Sequence, residues 1–201
     1  MADQEPIRNT IERARGRKRI NAATALICGA LPAAVLQMVN PPSTAKWLMG
    51  FAAGLAWANG FEYVYHRCLL HMPKIRPGQL HQVHHAFTGT PREAEHLNLG
   101  GTPPWIVAGF VFNGLIITIA DLLLGLRVSP GMFVAFAVYV MAVEEIHWRI
   151  HLGGWLPSFM RFSREHHLAH HERPSGRFNV FFPLFDWLLG TAKDRRLCGH
   201  P

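Results

Sequence analysis

The sequence predicts an all-α integral membrane protein of about four transmembrane helices, paired as two hairpins beneath a histidine-rich cytosolic cap. Three observations predict it: long uncharged apolar blocks, a one-sided distribution of Lys and Arg, and histidines gathered into four short clusters. Half of the 201 residues are apolar and only 16% are charged, against about 25% charged in an average soluble domain. That length fits a single membrane-embedded domain over 1–201, with a basic cytosolic segment over 1–20 and the histidine-rich region over 61–191. Cys28, Cys68 and Cys198 form an odd set without a CxxC pair, which argues against a disulfide framework and for a reducing compartment.

The apolar blocks run from Ala22 to Val39, Trp47 to Phe61, Trp105 to Ala120 and Met132 to Val143. A bilayer core takes about 20 mostly apolar helical residues. The first and third blocks reach that with their flanks. The second needs Glu62 and Tyr65, and the fourth needs Glu144 and Glu145. The first block has a long polar lead and no clean A-x-A site, so it reads as a span and not as a cleaved signal. If all four blocks span, eighteen of the twenty Lys and Arg fall on one side, with only Lys46 and Arg127 on the other. Basic loops stay cytoplasmic, so both termini and the central loop face the cytosol, in a bacterial inner membrane or the endoplasmic reticulum. That asymmetry accounts for the net charge of +7 without nucleic acid. It also offers anionic headgroups or an acidic protein a place to dock.

Ten of the thirteen histidines fall into four clusters. His66 and His71 form HX4H where block two ends. His81, His84 and His85 form HX2HH in the central loop. His147 and His151 form HX3H where block four ends, and His167, His170 and His171 form a second HX2HH in the tail. On an α-helix, i, i+3 and i+4 share a face, so each HX2HH should offer three imidazoles to one region. HX4H turns by about 140° on an α-helix, so His66 and His71 should approach from two directions or serve different metals. Neutral imidazole is the commonest metal ligand. Ten ligands exceed one ion's needs and suit two, with about five each. A redox-active, nitrogen-rich site suits iron, and zinc would fit without turning over. His96, His166 and His200 lie outside the spacing and are expected behind the ligands or at the surface; Cys68 is expected to be a packing residue.

Ligating imidazoles usually donate their second N–H to a carboxylate or carbonyl. Glu62 lies four residues before His66 and Glu144 three before His147, so each is a candidate to orient its histidine; Arg67 and Arg149 are the competing partners. Asn179 and Asp186, near the end of the region, are weaker candidates, and Asp121 is expected at the outer interface.

The order HX4H, HX2HH, HX3H, HX2HH resembles the fatty acid hydroxylase superfamily, which also contains sterol desaturases and C4-methyl sterol oxidases. The similarity extends from about Phe61 to Thr191. FEYVYHRCLLHMP, LHQVHHAFTGTPREAEHLNLGGTPP, VEEIHWRIHLGG and HHLAHHERPSGRFNVFFPLFDWLLGT look like the four boxes of the fatty acid 2-hydroxylases. In the last, His167, His170 and His171 match the ligands and His166 does not. Where those enzymes have Arg-Leu after the second box, this chain has His96-Leu97. Beta-carotene hydroxylases are similar in size, but their third box is HX4H.

The resemblance implies an O2-dependent diiron monooxygenase that hydroxylates a lipid C–H bond, on a fatty acyl chain. Desaturation or oxidation of a sterol or carotenoid is the alternative within the superfamily, since loss of a second hydrogen gives an alkene. With no flavin, Rossmann or haem-attachment motif, electrons are expected from a separate ferredoxin, or cytochrome b5 with its reductase. From other classes, a membrane haem protein would pair histidines across helices, and a metal transporter would need polar residues at mid-bilayer. The end-of-helix clusters and apolar blocks fit neither.

Overall fold

The computed structural model describes residues 4–97 and 102–193 and is helical, with no strand among those residues. The order is α1 (Gln4–Val39), α2 (Thr44–Val64), a π-helix (Tyr65–Leu70), α3 (Arg76–Phe87), α4 (Pro103–Leu124), α5 (Ser129–Leu152), α6 (Arg161–Glu172) and α7 (Leu184–Leu188), with short 3-10 turns at Glu93–His96 and Ser158–Met160. Among the described residues, three helices are long and apolar enough to cross a membrane: Asn9–Val39, Pro103–Leu124 and Ser129–Leu152. All four expected blocks are helical. The second, in α2, falls outside that set of three, because Lys46, Asn59 and Glu62 dilute its apolar run. The basic lead continues from Gln4 into the first of these helices without a break.

Helix ends follow their residues. Pro103 and Pro104 begin α4, where a missing N–H costs nothing, and Gly125 ends it with φ of 62°.

The chain forms two compact units: residues 15–58 and 100–144 make one, and 1–14, 59–99 and 145–201 the other. In the first unit the helices turn large apolar side chains outward, among them Leu31 (63% exposed) and Leu123 (81%). Such surface suits lipid and not water. Inside, backbones meet through glycines. A methyl on Gly131 would lie 2.2 Å from the Trp47 carbonyl oxygen, and one on Gly50 would lie 2.1 Å from that of Val128. Small residues permit this close approach where lipid supplies no hydrophobic drive between helices. Ala33, Ile117 and Phe133 pack beside them.

Asp121, near the end of α4, is buried in this unit. Its carboxylate accepts the backbone N–H of Val128 (2.9 Å) and Ser129 (3.3 Å) and the Ser129 hydroxyl (2.6 Å). It thereby serves the otherwise unpaired donors at the start of α5. In the second unit, Ala14, Leu97 and Trp148 form a small apolar cluster, flanked by Ile11 and Leu152. The other histidine-bearing segments also lie here.

Candidate metal centre

The ten clustered histidines converge as two groups of five. Group one is His66, His71, His81, His85 and His170; group two is His84, His147, His151, His167 and His171. Within each group the candidate ligand nitrogens all lie within 4.8 Å of one another.

The first box departs from the α-helical expectation. Tyr65–Leu70 is a π-helix, whose bonds join residues five apart. The five-residue step from His66 to His71 therefore returns to the same face. Their rings stack at 5.2 Å and 18°, and both enter group one.

The HX2HH boxes also depart from expectation, because neither serves one region. In α3, His81 and His85 go to group one while His84 goes to group two. In α6, His167 and His171 go to group two while His170 goes to group one. The i and i+4 positions share a line on the helix, and i+3 sits off it by about 60° at 100° per residue. Each group thus takes four histidines from its own pair of boxes and one from the other pair.

The donor geometry fits metal ions. Nε2 of His66 and His85 each lie 2.9 Å from Nε2 of His81, and His71 lies 3.2 Å from His170. In group two, His147 lies 3.1 Å from His84, while His151 and His171 lie 2.9 and 3.1 Å from His167. Nitrogens bound at about 2.1 Å and at right angles sit roughly 3.0 Å apart. Several rings are locked so that the inward nitrogen carries a lone pair. Nδ1–H of His66 is donated to the Phe178 carbonyl, His147 to Leu97 (3.0 Å) and His170 to Gly176 (2.6 Å). His151 donates to Glu93 Oε1 (2.6 Å), and His171 to the Thr88 hydroxyl (3.1 Å). Lone pairs meeting at this distance repel unless a cation lies between them.

Electrostatics point the same way. Burial, with neighbouring imidazoles adding to it, holds His81, His84 and His167 well below the usual histidine range. The same causes bring His85 to about 4, His170 to about 3 and His171 to about 2. All stay neutral at physiological pH, the form that binds metal.

A braced loop stands behind group one. The carbonyls of Gly176 and Phe178 both face ligand imidazoles, and Arg177 between them adopts φ of 61°. That left-handed turn is held from several sides. Arg177 N–H reaches the Thr191 carbonyl (2.9 Å). Asp186, fully buried, accepts the N–H of Phe178 (3.0 Å) and Asn179 (2.7 Å), the Thr191 hydroxyl (2.7 Å) and His166 Nε2 (3.0 Å). Glu62 accepts Val180 N–H (2.8 Å) and Asn179 Nδ2 (2.9 Å).

Several expectations shift accordingly. Glu62, a candidate to orient His66, steadies the loop whose carbonyl meets His66. Asp186 and Asn179 brace the same loop, and His166 stands behind the ligands against Asp186. Glu144 is buried in α5, and Glu93, which the sequence did not single out, touches His151. His96 stacks on Phe87 at 4.5 Å. Cys68 is exposed and lies outside both histidine groups. His200 and Cys198 lie outside the described residues. The Glu93–His151 contact spans 58 positions, so no local pattern announces it. The backbone carbonyls of Leu97, Gly176 and Phe178 carry no side-chain signal.

A family model described as fatty acid hydroxylase matches residues 51–191, well over half of the chain. No curated protein and no solved structure gives a significant match.

Proposed function

Because the chain belongs to the fatty acid hydroxylase family, we propose that it is a membrane-bound diiron monooxygenase that hydroxylates a fatty acyl chain, in the manner of the 2-hydroxylases. A lipid oxygenase of hydroxylase or desaturase type follows from the family itself. The single observation that supports the diiron form is the sorting of ten histidines into two groups of five, all in one compact unit. His66, His71, His81, His85 and His170 would hold one iron, and His84, His147, His151, His167 and His171 the other. Bound there, two iron ions supply the redox chemistry that activates O2 with two electrons from outside the chain. Zinc fits the same donors but cannot cycle.

The chain's own residues do the rest. Carbonyls of Phe178, Gly176 and Leu97 fix which imidazole nitrogen faces inward. Glu62, Asp186 and Asn179 hold the 176–181 loop, which keeps two of those carbonyls in place. Burial of His66, His147, His167 and His170 would limit water at the reacting position.

The basic, cytosolic face would receive an acidic ferredoxin, or cytochrome b5 served by its reductase. The acyl substrate would come from the bilayer. Desaturation is the second outcome available to the same site, and how the substrate carbon is held would decide between them. Purification of the full chain in detergent, metal analysis and lipid profiling of cells with and without the gene test this. About two metal ions per chain and a hydroxylated acyl product are expected. A Soret band, or a metal content near zero, overturns it.

A further inference from the structure

The two histidine groups differ in what stands behind their imidazoles. Group one leans on peptide carbonyls, Phe178 behind His66 and Gly176 behind His170. Group two has a carboxylate. Glu93 Oε1 lies 2.6 Å from His151 Nδ1, and its Oε2 accepts the Gly89 N–H at 3.1 Å. The contact is closed to solvent, with the His151 side chain 1% exposed and that of Glu93 11%. The other contacts in group two are neutral: the Leu97 carbonyl on His147 and the Thr88 hydroxyl on His171.

Ten neutral imidazoles carry no charge to offset two dications. An anion one bond beyond a ligand is then the nearest compensation, and it acts in a low dielectric. Glu144 is also buried, and so is Asp186, which lies near enough to His170 to act on it through its charge. The oxygens of Asp186 are occupied by two backbone N–H groups, a hydroxyl and His166, which belongs to neither group. Glu93 touches a clustered imidazole directly. A carboxylate that accepts Nδ1–H draws that proton toward itself, and the ring's Nε2 lone pair becomes a stronger donor.

We propose that Glu93 makes the two metal positions inequivalent, so that the group containing His151 binds its ion more tightly than the group containing His66. Glu93 is a positioning residue that acts through His151. The inference rests on the two-metal reading above.

The test is a titration of the metal-stripped full chain in detergent with Zn2+ against a competing chelator. The wild type should bind in two resolved steps. His71→Ala, which removes a ligand from group one, should lose the weaker step and keep the tighter one. Glu93→Gln preserves size while removing the charge, and it should weaken the tighter step by about 10- to 100-fold and leave the weaker step in place. Thr88→Val removes a neutral hydroxyl from the same group and should shift the tighter step by less than Glu93→Gln does. Two indistinguishable steps in the wild type overturn the inference without any variant. So does a Glu93→Gln protein in which both steps weaken equally or neither moves. A chain that binds no zinc at either position overturns the two-metal reading itself, which separates that failure from this one.

Discussion

His84 and His147 bring their Nε2 atoms to 3.1 Å across 63 positions of sequence, so a histidine of the second box completes a group built from the third and fourth. His170 does the converse, meeting His71 of the first box at 3.2 Å. Neither group is complete without a residue from the other pair of boxes. Loss of one exchanged histidine should therefore loosen the packing of α3 against α6 as well as one metal position. His170→Ala and His147→Ala are each expected to abolish turnover and lower the metal content, while His200→Ala should do neither. Elemental analysis beside product formation checks this, and full turnover by His170→Ala would refute the ligand assignment.

Cys68 offers a complementary control. It lies in the π-helix between His66 and His71, yet its side chain is exposed. Cys68→Ala should leave metal content and turnover within about twofold of the wild type, since surface changes away from special features usually cost under about 0.5 kcal/mol. A loss of metal would mean that the thiol ligates in the loaded protein.

Much of this was legible in the sequence, and the limits are physical. Spacing marks which histidines face the same way on an assumed α-helix, so the ten were visible as four clusters. Their sorting was not, because it depends on local geometry. The π-helical turn at Tyr65–Leu70 made HX4H a stacked pair and not a split one. The off-line position of His84 sent it to the opposite group from His81 and His85. The supports were hidden more deeply. Peptide carbonyls of Phe178 and Gly176 act without regard to side-chain identity, and Glu93 finds His151 only through the tertiary fold. The apolar blocks were legible in full as helices. The capping role of Asp121 was not, since it depends on how the chain turns between α4 and α5.

Asp186 should be the most costly of the supporting residues to alter. Burial pushes its carboxyl up, but hydrogen bonds from His166, Thr191, Asn179 and Phe178 more than reverse this and hold it below the usual carboxylate range. Asp186→Asn places an amide where only acceptors fit, against two backbone N–H groups. A hydrogen bond to a charged group contributes on the order of 1.5–3 kcal/mol, so a loss of at least about 3 kcal/mol is expected. The Phe178 carbonyl would then lose its fixed position behind His66. Thermal melts and metal affinity should both fall, and an unchanged melt would sink the role given to the loop.

Acid sensitivity follows from the neutral imidazoles. The folded state holds His81, His84, His85, His167, His170 and His171 below the ordinary histidine value because they are buried among one another. The unfolded chain takes up protons near pH 6.5, where the folded chain does not, so stability rises with pH across that interval. The contribution is whole above about 6.5 and declines as pH falls toward the folded values, about 4 for His85 and about 3 for His170. Protons compete with metal over the same range. Metal release and loss of helical signal are expected together as pH is lowered from 7 to about 4, followed by circular dichroism with a fluorescent metal indicator. Retention of both ions at the lower limit would show that metal binding outweighs this term.

Asp121→Asn separates folding from chemistry. At the start of α5 the carboxylate accepts hydrogen bonds from the Ser129 hydroxyl and from backbone donors that the helix leaves unpaired, among them Val128 and Ser129. An amide oxygen in place of Oδ2 keeps both Ser129 contacts, while the amide nitrogen then faces the Val128 N–H, which it cannot satisfy. Loss of an N-terminal cap typically costs about 0.5–2 kcal/mol, and burial places this one toward the upper end. All of the interacting residues lie in the apolar unit, away from the ten histidines in sequence and in compact unit. The expected result is a lower melting temperature in detergent with metal content unchanged. A variant that melts normally but loses metal would mean that Asp121 acts on the histidine groups and not on the α4–α5 turn.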